Sequence, residues 1–307
     1  MKRWIGWISL ALMAGLALGW LQDLSPIFDS FTHFRLVWSA LLAVMFVALI
    51  FTRQYILSFL AALTIVASMS LTHTYLWPSV SAQASTQGGK ADLKILQFNL
   101  LWKNPHMQKA ISVVLAADAD VVVFQESGWT NRTIVDTLRQ HFKYATACNT
   151  GKNGRRVILS NLEFDQSFGT LCPRGNALSI ARVKVQGQWV SIANVHLRWP
   201  WPFSQHRRAH LMQKTLSSVN GPFIVAGDFN AVPWSHIAKR IAAMSGTTIA
   251  KEVRLSWGPA ITELNFWMPP TLPIDLVMSR GVTLIERRVL PYGGSDHRPV
   301  LNRFALN

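Results

Sequence analysis

Cysteine is almost absent from this chain, with two residues, Cys148 and Cys172, among 307. That scarcity excludes a disulfide-dense small scaffold and a four-cysteine metal centre. Acidic side chains are also few, 15 against 30 Lys and Arg, which leaves a formal charge of +15. Charge of either sign is nearly missing from residues 1–78, where Lys2, Arg3, Arg35, Arg53, Asp23 and Asp29 give a balance of +2. The remaining 26 bases and 13 acids, a balance of +13, lie beyond residue 78. Such a basic excess favours acidic partners: nucleic acid, anionic lipid headgroups or other phosphate esters. No internal repeat is visible.

What the first third has is apolar length. Trp4–Leu21, Phe34–Phe51 and Tyr55–Trp77 are three apolar runs, and a bilayer core needs roughly 20 such residues per helix, with about 17 acceptable. Three transmembrane helices are expected. Trp4, Trp7, Trp20, Trp38 and Trp77 sit near the run ends, where indole rings favour the membrane interface. Lys2, Arg3 and Arg53 flank the runs on one side, while Gln22 to His33 has no Lys or Arg. The positive-inside rule then places the N-terminus in the cytoplasm and everything after Pro78 beyond the inner (cytoplasmic) membrane, on the periplasmic side. The expected organisation is an anchor over residues 1–78, a flexible linker over 79–92 and a catalytic domain over 93–307. Within the linker, Ala82-Gln-Ala84 has the look of a signal-peptidase site, but the apolar run before it is long for a signal core. In an oxidising compartment, Cys148 and Cys172 are disulfide candidates, because they flank an expected strand at Arg156–Asn161 and a hairpin would bring them together.

From Leu93 onward, apolar runs of strand length alternate with helical spacing. Strands are expected at Leu93–Asn99, Val121–Phe124, Val157–Ser160, Ala177–Val185, Trp189–Val195, Phe223–Ala226, Ile274–Met278, Thr283–Val289 and Val300–Phe304. Helices are expected at His106–Ala117, Thr130–His141, His206–Val219 and Ser235–Met244. Abundant strands and helices imply an α/β fold of layered sheets covered by helices. Several strands end in polar groups: Leu96-Gln-Phe-Asn99, Val123-Phe-Gln-Glu126, Val225-Ala-Gly-Asp-Phe-Asn230 and, near the C-terminus, Gly294-Ser-Asp-His-Arg-Pro299. Carboxylates, carboxamides and a histidine gathered at one sheet edge suit metal-assisted hydrolysis.

Six separated motifs carry a resemblance: Phe98-Asn99, Gln125-Glu126, Asn194-Val-His-Leu197, Gly227-Asp-Phe-Asn230, Pro273-Ile-Asp-Leu276 and Ser295-Asp-His-Arg-Pro-Val300. In that order they resemble the endonuclease/exonuclease/phosphatase superfamily of DNase I-like enzymes, over about residues 93–304. The resemblance implies a four-layer α/β sandwich of two packed mixed sheets flanked by helices.

The residue types also suit the chemistry. Magnesium (Mg2+), with Mn2+ as a substitute, takes hard oxygen ligands and needs few carboxylates. Glu126 is the expected direct ligand, Asn99 offers a carbonyl oxygen beside it, and Asp296 reaches the same or a second ion. Asp228 is expected to orient or deprotonate the attacking water and Asn230 to hold a phosphate oxygen; residues two apart on a strand face the same way. Asp275 and His297 form the expected acid–histidine pair, which would stabilise the pentacoordinate phosphate as a cation. His196 matches a second histidine of nuclease-like and sphingomyelinase-like members and is a candidate general acid. His33, His206, His210 and His236 have no such context and read as structural. Leu101 stands where abasic-site endonucleases carry an acid, which weakens a DNA-repair reading. The loop Arg198-Trp-Pro-Trp-Pro-Phe-Ser-Gln-His-Arg-Arg208 adds Arg198, Trp199, Trp201, Arg207 and Arg208 as candidate substrate contacts, suited to a lipid interface or to stacked bases. The expected function is membrane-tethered, Mg2+-dependent phosphodiester hydrolysis, with nucleic acid or nucleotide esters ahead of phospholipid or sphingomyelin. The competing reading is a catalytically silent membrane scaffold.

Overall fold

A computed structural model describes residues 2–76, 92–148, 155–173, 177–261 and 266–307. The expectations placed on Trp77, the Ser79–Gly89 linker and Ala82-Gln-Ala84 lie outside the described residues. The chain opens with α1 (Lys2–Leu18), whose end tightens into a 3-10 turn, then α2 (Pro26–Thr32), α3 (Arg35–Phe51), α4 (Tyr55–Ser70) and the single turn α5 (His73–Leu76). Helices α1, α3 and α4 pack around Leu16, Leu42, Leu49 and Ala61. Gly15 permits the close approach, because a Cβ there would meet the Trp38 ring at 2.6 Å. Outward faces are apolar too, with Trp4, Trp7, Val44, Phe51, Ile56, Phe59 and Val66 exposed.

The expectation of three membrane-crossing helices needs correction. One helix, Lys2–Leu21 with 20 residues, is long and apolar enough to cross a bilayer. Helices α2 and α3 meet that test only together, as a pair bent by 59°, and α4 stops after 16 residues. Hydropathy counts apolar residues but does not register backbone breaks. Ser25 caps α2 through its Oγ and Pro26 starts it, so a new helix begins inside the first connection. Leu71 and Thr72 then end α4 six residues before Pro78.

Beyond these N-terminal helices come β1 (Leu93–Asn99), α6 (Met107–Ala116), β2 (Val121–Gln125), α7 (Arg132–Arg139), β3 (Tyr144–Cys148), β4 (Arg156–Ser160), β5 (Leu178–Val185), β6 (Gln188–His196), α8 (Gln205–Ser217), β7 (Phe223–Asp228) and α9 (His236–Ser245). The short strands β8 (Thr248–Ile249), β9 (Ala260–Ile261) and β10 (Phe266–Trp267) precede β11 (Asp275–Arg280), β12 (Val282–Val289) and β13 (Val300–Leu306). Six strands form one sheet, β12-β13-β1-β2-β4-β3, and five form another, β5-β6-β7-β11-β8. Both are mixed: β1 with β2 and β6 with β7 run parallel, and their other neighbours are antiparallel.

Two-residue alternation builds the layers. Leu93, Ile95, Val121, Val123, Val190, Ile192, Ile224, Ala226 and Val277 meet in the seam between the sheets. Their neighbours Leu96, Phe98, Val122 and Phe124 pack under α6 and α7. Phe223, Val225, Leu276 and Met278 pack under α8 and α9. Each fully buried branched side chain contributes about 1.5–3 kcal/mol, so the register of every central strand is strongly specified. The result is an α/β sandwich of two mixed sheets flanked by helices.

Several features were not expected. Strand β3 and the short strands β8 to β10 carry too little apolar pattern to stand out. The helix foreseen over Thr130–His141 is a 3-10 turn, Trp129–Asn131, followed by α7. Asp92, assigned to the linker, accepts from Gln186 Nε2 (2.6 Å) and Leu306 N (2.9 Å) and so belongs to the sheet edge. Cys148 and Cys172 are joined by a disulfide with Cα atoms 5.6 Å apart. β3 edges the first sheet, and Leu171 bridges to Ile180 of β5, which edges the second. The disulfide therefore ties the two sheets together along one side.

Candidate active site

At one end of the seam the alternation continues but the residue types change. The inward positions become Gln97 and Asn99 on β1, Gln125 on β2, Asn194 and His196 on β6, Asp228 on β7 and Asp275 on β11. Parallel pairing brings the ends of β1 and β2 level, likewise β6 and β7, and antiparallel pairing sets Asp275 directly beside Asp228. Polar groups so deep need partners, and they find them across the seam. Gln97 Nε2 donates to Asp275 Oδ1 (2.7 Å) and Gln125 Nε2 to Asn194 Oδ1 (2.7 Å).

The buried Asp228 carboxylate is the focus. Its Oδ2 accepts from Asn99 Nδ2 (2.9 Å) and Asn230 Nδ2 (3.1 Å), and lies 3.6 Å from His297 Nε2 and 3.7 Å from His196 Nε2. Its Oδ1 accepts from Asn230 N (2.8 Å). Gly227 makes this possible: its φ is +152°, and a Cβ there would overlap the backbone of Val195 on β6. Glu126 Oε1 stands 3.6 Å from His196 Nε2 and 3.3 Å from Asn99 Nδ2. Glu126 and Asn230 both hold left-handed backbone, at φ 54° and 45°. Strain of that kind costs about 1–3 kcal/mol and persists only where the surroundings enforce it. Here Asn131 Nδ2 donates to Glu126 O (2.9 Å), and Gln205 Nε2 donates to Asn230 O (2.8 Å).

His297 Nδ1 meets Asp275 Oδ2 at 2.8 Å, and the same carboxylate oxygen accepts from Ser256 Oγ. With Gln97 on its other oxygen, Asp275 is committed to orienting the ring. Asp296 Oδ2 accepts from Trp257 Nε1 (2.9 Å), and Ser295 Oγ donates to Asn99 O (2.8 Å).

The charges are arranged unequally. Burial lifts the Asp228 carboxyl above its usual value; His297 opposes the rise and Asp275 adds to it. Burial likewise lifts Glu126, with His297 opposing and Asp296 adding. Burial also works against charge on His297, but Asp275, Asp228 and Asp296 outweigh it and hold its pKa well above the ordinary imidazole value. Burial, with Arg156, His297 and Arg208 nearby, takes His196 down to about 3, so its ring is neutral at pH 7. Among the described residues no Lys or Arg forms an ion pair with Glu126, Asp228 or Asp296.

Asn99, Glu126, His196, Asp228, Asn230, Asp275 and His297 thus converge, with Asp296 at the edge. Two expectations change in detail. Asn99 turns its amide nitrogen, not its oxygen, to the two carboxylates, because its Oδ1 accepts from Leu101 N (3.0 Å). His196 stands as a neutral ring, so it carries no ready proton for a leaving group. The Arg198–Arg208 loop divides. Trp199 packs with Val232, Trp234 and Leu272 and meets the Trp257 ring edge-on at 5.1 Å, so it is committed to packing. Trp201 and Phe203 are exposed, with Arg198 over the Phe203 ring, and Arg207 and Arg208 sit on α8.

Gln97, Gln125, Asn194, Gln205, Ser256 and Trp257 also support the site, and none was given a role from sequence. Gln97, Gln125 and Asn194 stand inside the motifs quoted above, and period-two spacing from Asn99 and His196 points to Gln97 and Asn194; nothing local marks Gln205, Ser256 or Trp257.

Two packed mixed sheets whose seam ends in carboxylates, carboxamides and histidines define a phosphoesterase fold. A model of the Endonuclease/Exonuclease/phosphatase family matches residues 96–297, and the chain belongs to that family. A UPF0294 protein of Vibrio cholerae serotype O1 is 30% identical over 123 residues, covering 39% of this chain and 41% of that protein. A UPF0294 protein of Yersinia enterocolitica serotype O:8 is 36% identical over 89 residues, 27% of this chain and 30% of that protein. The matched stretches therefore span less than half the length of these relatives. Among solved structures, the human Nocturnin catalytic domain with bound sulfate superposes with a TM-score of 0.54 at 17% identity, covering 70% of this chain and 94% of that one. Beta toxin from Staphylococcus aureus with bound magnesium ions gives 0.52 at 13%, covering 69% and 99%. Danio rerio TDP2 complexed with a single-strand DNA product gives 0.54 at 17%, covering 69% and 98%. At these identities the likeness is one of fold.

Proposed function

We propose that this chain is a metal-dependent phosphodiester hydrolase held at a membrane by its N-terminal helices. The observation that carries the reading is the convergence of Asn99, His196, Asn230 and His297 on the Asp228 carboxylate, from motifs spread over two hundred residues.

The donor set fits a divalent cation. Burial raises the cost of ionising Glu126 and Asp296 adds to it, with no Lys or Arg ion-paired to either among the described residues, a cost that a hard cation relieves. A magnesium ion held by Glu126 and Asp296 would supply positive charge against the phosphoryl oxygens. The protein's own groups do the rest. Asp275 accepts the Nδ1 proton of His297 and, with Asp228 and Asp296, favours the imidazolium, whose second proton on Nε2 then faces the centre. Asn99 and Asn230 hold Asp228 by hydrogen bonds and leave it beside the water it orients. That water's oxygen forms the new bond to phosphorus and its proton passes to Asp228. The bond to the leaving oxygen breaks, and this oxygen takes its proton from solvent. An anionic phosphate beside His196 would favour protonation of that ring.

The balance of +13 beyond residue 78 suits nucleic acid or nucleotide esters as substrate. A second reading, a phospholipid or sphingomyelin-type diester, is supported by one apolar cluster, Val232, Trp234, Leu272 and Ile274, against which Leu36 and Tyr75 of the N-terminal helices and Trp199 and Trp257 at the site's rim all pack. If the apolar bundle lies in lipid, the site lies close to its surface. Two measurements test these readings. The full chain should hydrolyse bis(p-nitrophenyl) phosphate with Mg2+ and lose activity with EDTA or Glu126→Ala. A salt-sensitive preference for DNA over lipid vesicles favours the first substrate class. No metal-dependent turnover on nucleic acid, lipid or sugar phosphate restores the silent scaffold.

A further inference from the structure

The connection between the first two apolar helices does more than join them. Asp29 on α2 is completely buried, although it is one of only two acids in the first 78 residues. Apart from Thr32 Oγ1, 3.5 Å from Oδ1, its side-chain partners lie some two hundred residues away. Oδ1 accepts from His236 N (2.8 Å), and Oδ2 accepts from Ile237 N (3.1 Å) and lies 3.2 Å from His206 Nε2. The two amides open α9, and Ser235 Oγ takes the next one, from Ala238 N (3.2 Å). The N-terminus of α9 is thus capped jointly by its own Ser235 and by a carboxylate from the anchor. Around this bond the contact continues. Trp234 Nε1 donates to Thr32 O (3.0 Å), His236 Nδ1 meets Asp23 Oδ1 at 2.7 Å, and Val253 N donates to Tyr75 O (3.0 Å).

What Asp29 grips is the far end of the loop that carries Asn230. That loop leaves β7 at Asp228, passes through the left-handed Asn230 and enters α9 at His236. Its near end is held by Gln205, whose Nε2 donates to Phe229 O (3.2 Å) and Asn230 O (2.8 Å). Gln205 is the neighbour of His206 on α8, so one carboxylate ties down both the helix that holds the loop's start and the helix that forms its end. A buried carboxylate with three donors is a fixed point. Without it, two amides and an imidazole lose their acceptor in a dry contact.

We infer that Asp29 is a positioning residue for the hydrolytic centre: docking of the anchor's first connection seats the Asn230 loop, and turnover depends on that seat. The inference rests on the reading of the site as a hydrolase. It also means that residues 93–307 work as part of the whole chain.

The test uses the full chain in detergent or nanodiscs, with Mg2+ and bis(p-nitrophenyl) phosphate, comparing Asp29→Ala, Asp29→Asn and the control Ser30→Ala. The Ser30 Oγ, which this substitution removes, donates to Pro26 O of its own helix. Asp29→Ala should lower kcat on the order of ten- to a hundredfold through misplacement of the loop, with KM held within about twofold. Amide exchange should quicken in residues 229–237 and stay slow in β1, β2 and β6. Asp29→Asn, which keeps one acceptor oxygen, should recover part of the rate, and Ser30→Ala should match the parent. Where Asp29→Ala fails to assemble, His206→Ala, which removes one of those bonds, is read the same way. Wild-type kcat, or exchange that rises evenly through both sheets, overturns the inference. A parent chain that hydrolyses no diester instead defeats the hydrolase reading, while local exchange in the loop still decides whether Asp29 seats it.

Discussion

Replacing Cys148 and Cys172 together by serine removes the one covalent tie between the two sheets. The cysteines are 24 residues apart, and closing a loop of that length in the unfolded chain corresponds to about 3.5 kcal/mol at 25 °C by the chain-entropy relation. Native interactions remain along that edge. Thr146 and Thr170 stay hydrogen-bonded at 2.6 Å, and the Tyr144 and Phe164 rings stay 5.8 Å apart. The native edge should therefore hold its shape, and the loss should appear in the unfolding equilibrium. Domains commonly have only about 5–15 kcal/mol of stability, so the shift is a large fraction of the total. Urea unfolding of the full chain, followed by tryptophan fluorescence, measures it. Wild-type protein with dithiothreitol should lose the same amount as the serine pair, and the serine pair should ignore the reductant. A midpoint that moves by less than about 1 kcal/mol-equivalent, in either arm, would refute the reasoning.

Two further substitutions probe the centre itself. Gly227→Ala places a methyl group on the Val195 backbone at a φ of +152°; the expected loss is about 3 kcal/mol or more, with hydrolysis falling too, and unchanged urea and activity curves would show that the strand end is free to move. Asp275→Asn keeps the shape but removes the charge facing His297 and sets an amide nitrogen against Gln97 or Ser256; kcat should fall on the order of a thousandfold, and a loss under about tenfold would remove Asp275 from the orienting role.

Much of this protein was legible residue by residue. Alternation of side chains is a local property of extended backbone, so strands such as Leu93–Asn99 and Phe223–Asp228 announce both their place and the face they bury. The same periodicity carries polar residues to the end of the seam, which is why Asn99, Glu126, Asp228 and His297 could be named from motifs alone. The two cysteines of the disulfide were also named from sequence, but the expected hairpin does not join them: Cys148 pairs with Arg156 in the β3–β4 hairpin, and Cys172 lies beside β5 of the other sheet.

The tertiary structure decided what depends on contacts between distant segments. The exchange of Asn99's oxygen for its nitrogen toward the carboxylates follows from a competing bond to Leu101 N. The lowered pKa of His196 follows first from its burial in the seam and then from Arg156, His297 and Arg208, brought near by folding. His206 and His236 looked structural because neither has a local partner, and only folding sets Asp29 beside them. The three apolar runs likewise reported hydrophobicity but not that Pro26 starts a new helix and Leu71 ends one. Composition and spacing act over a few residues and therefore determined the layers and the chemical type of the site. Its orientation, its protonation and its contact with the N-terminal helices are long-range, set by which surfaces fit together once those layers have formed.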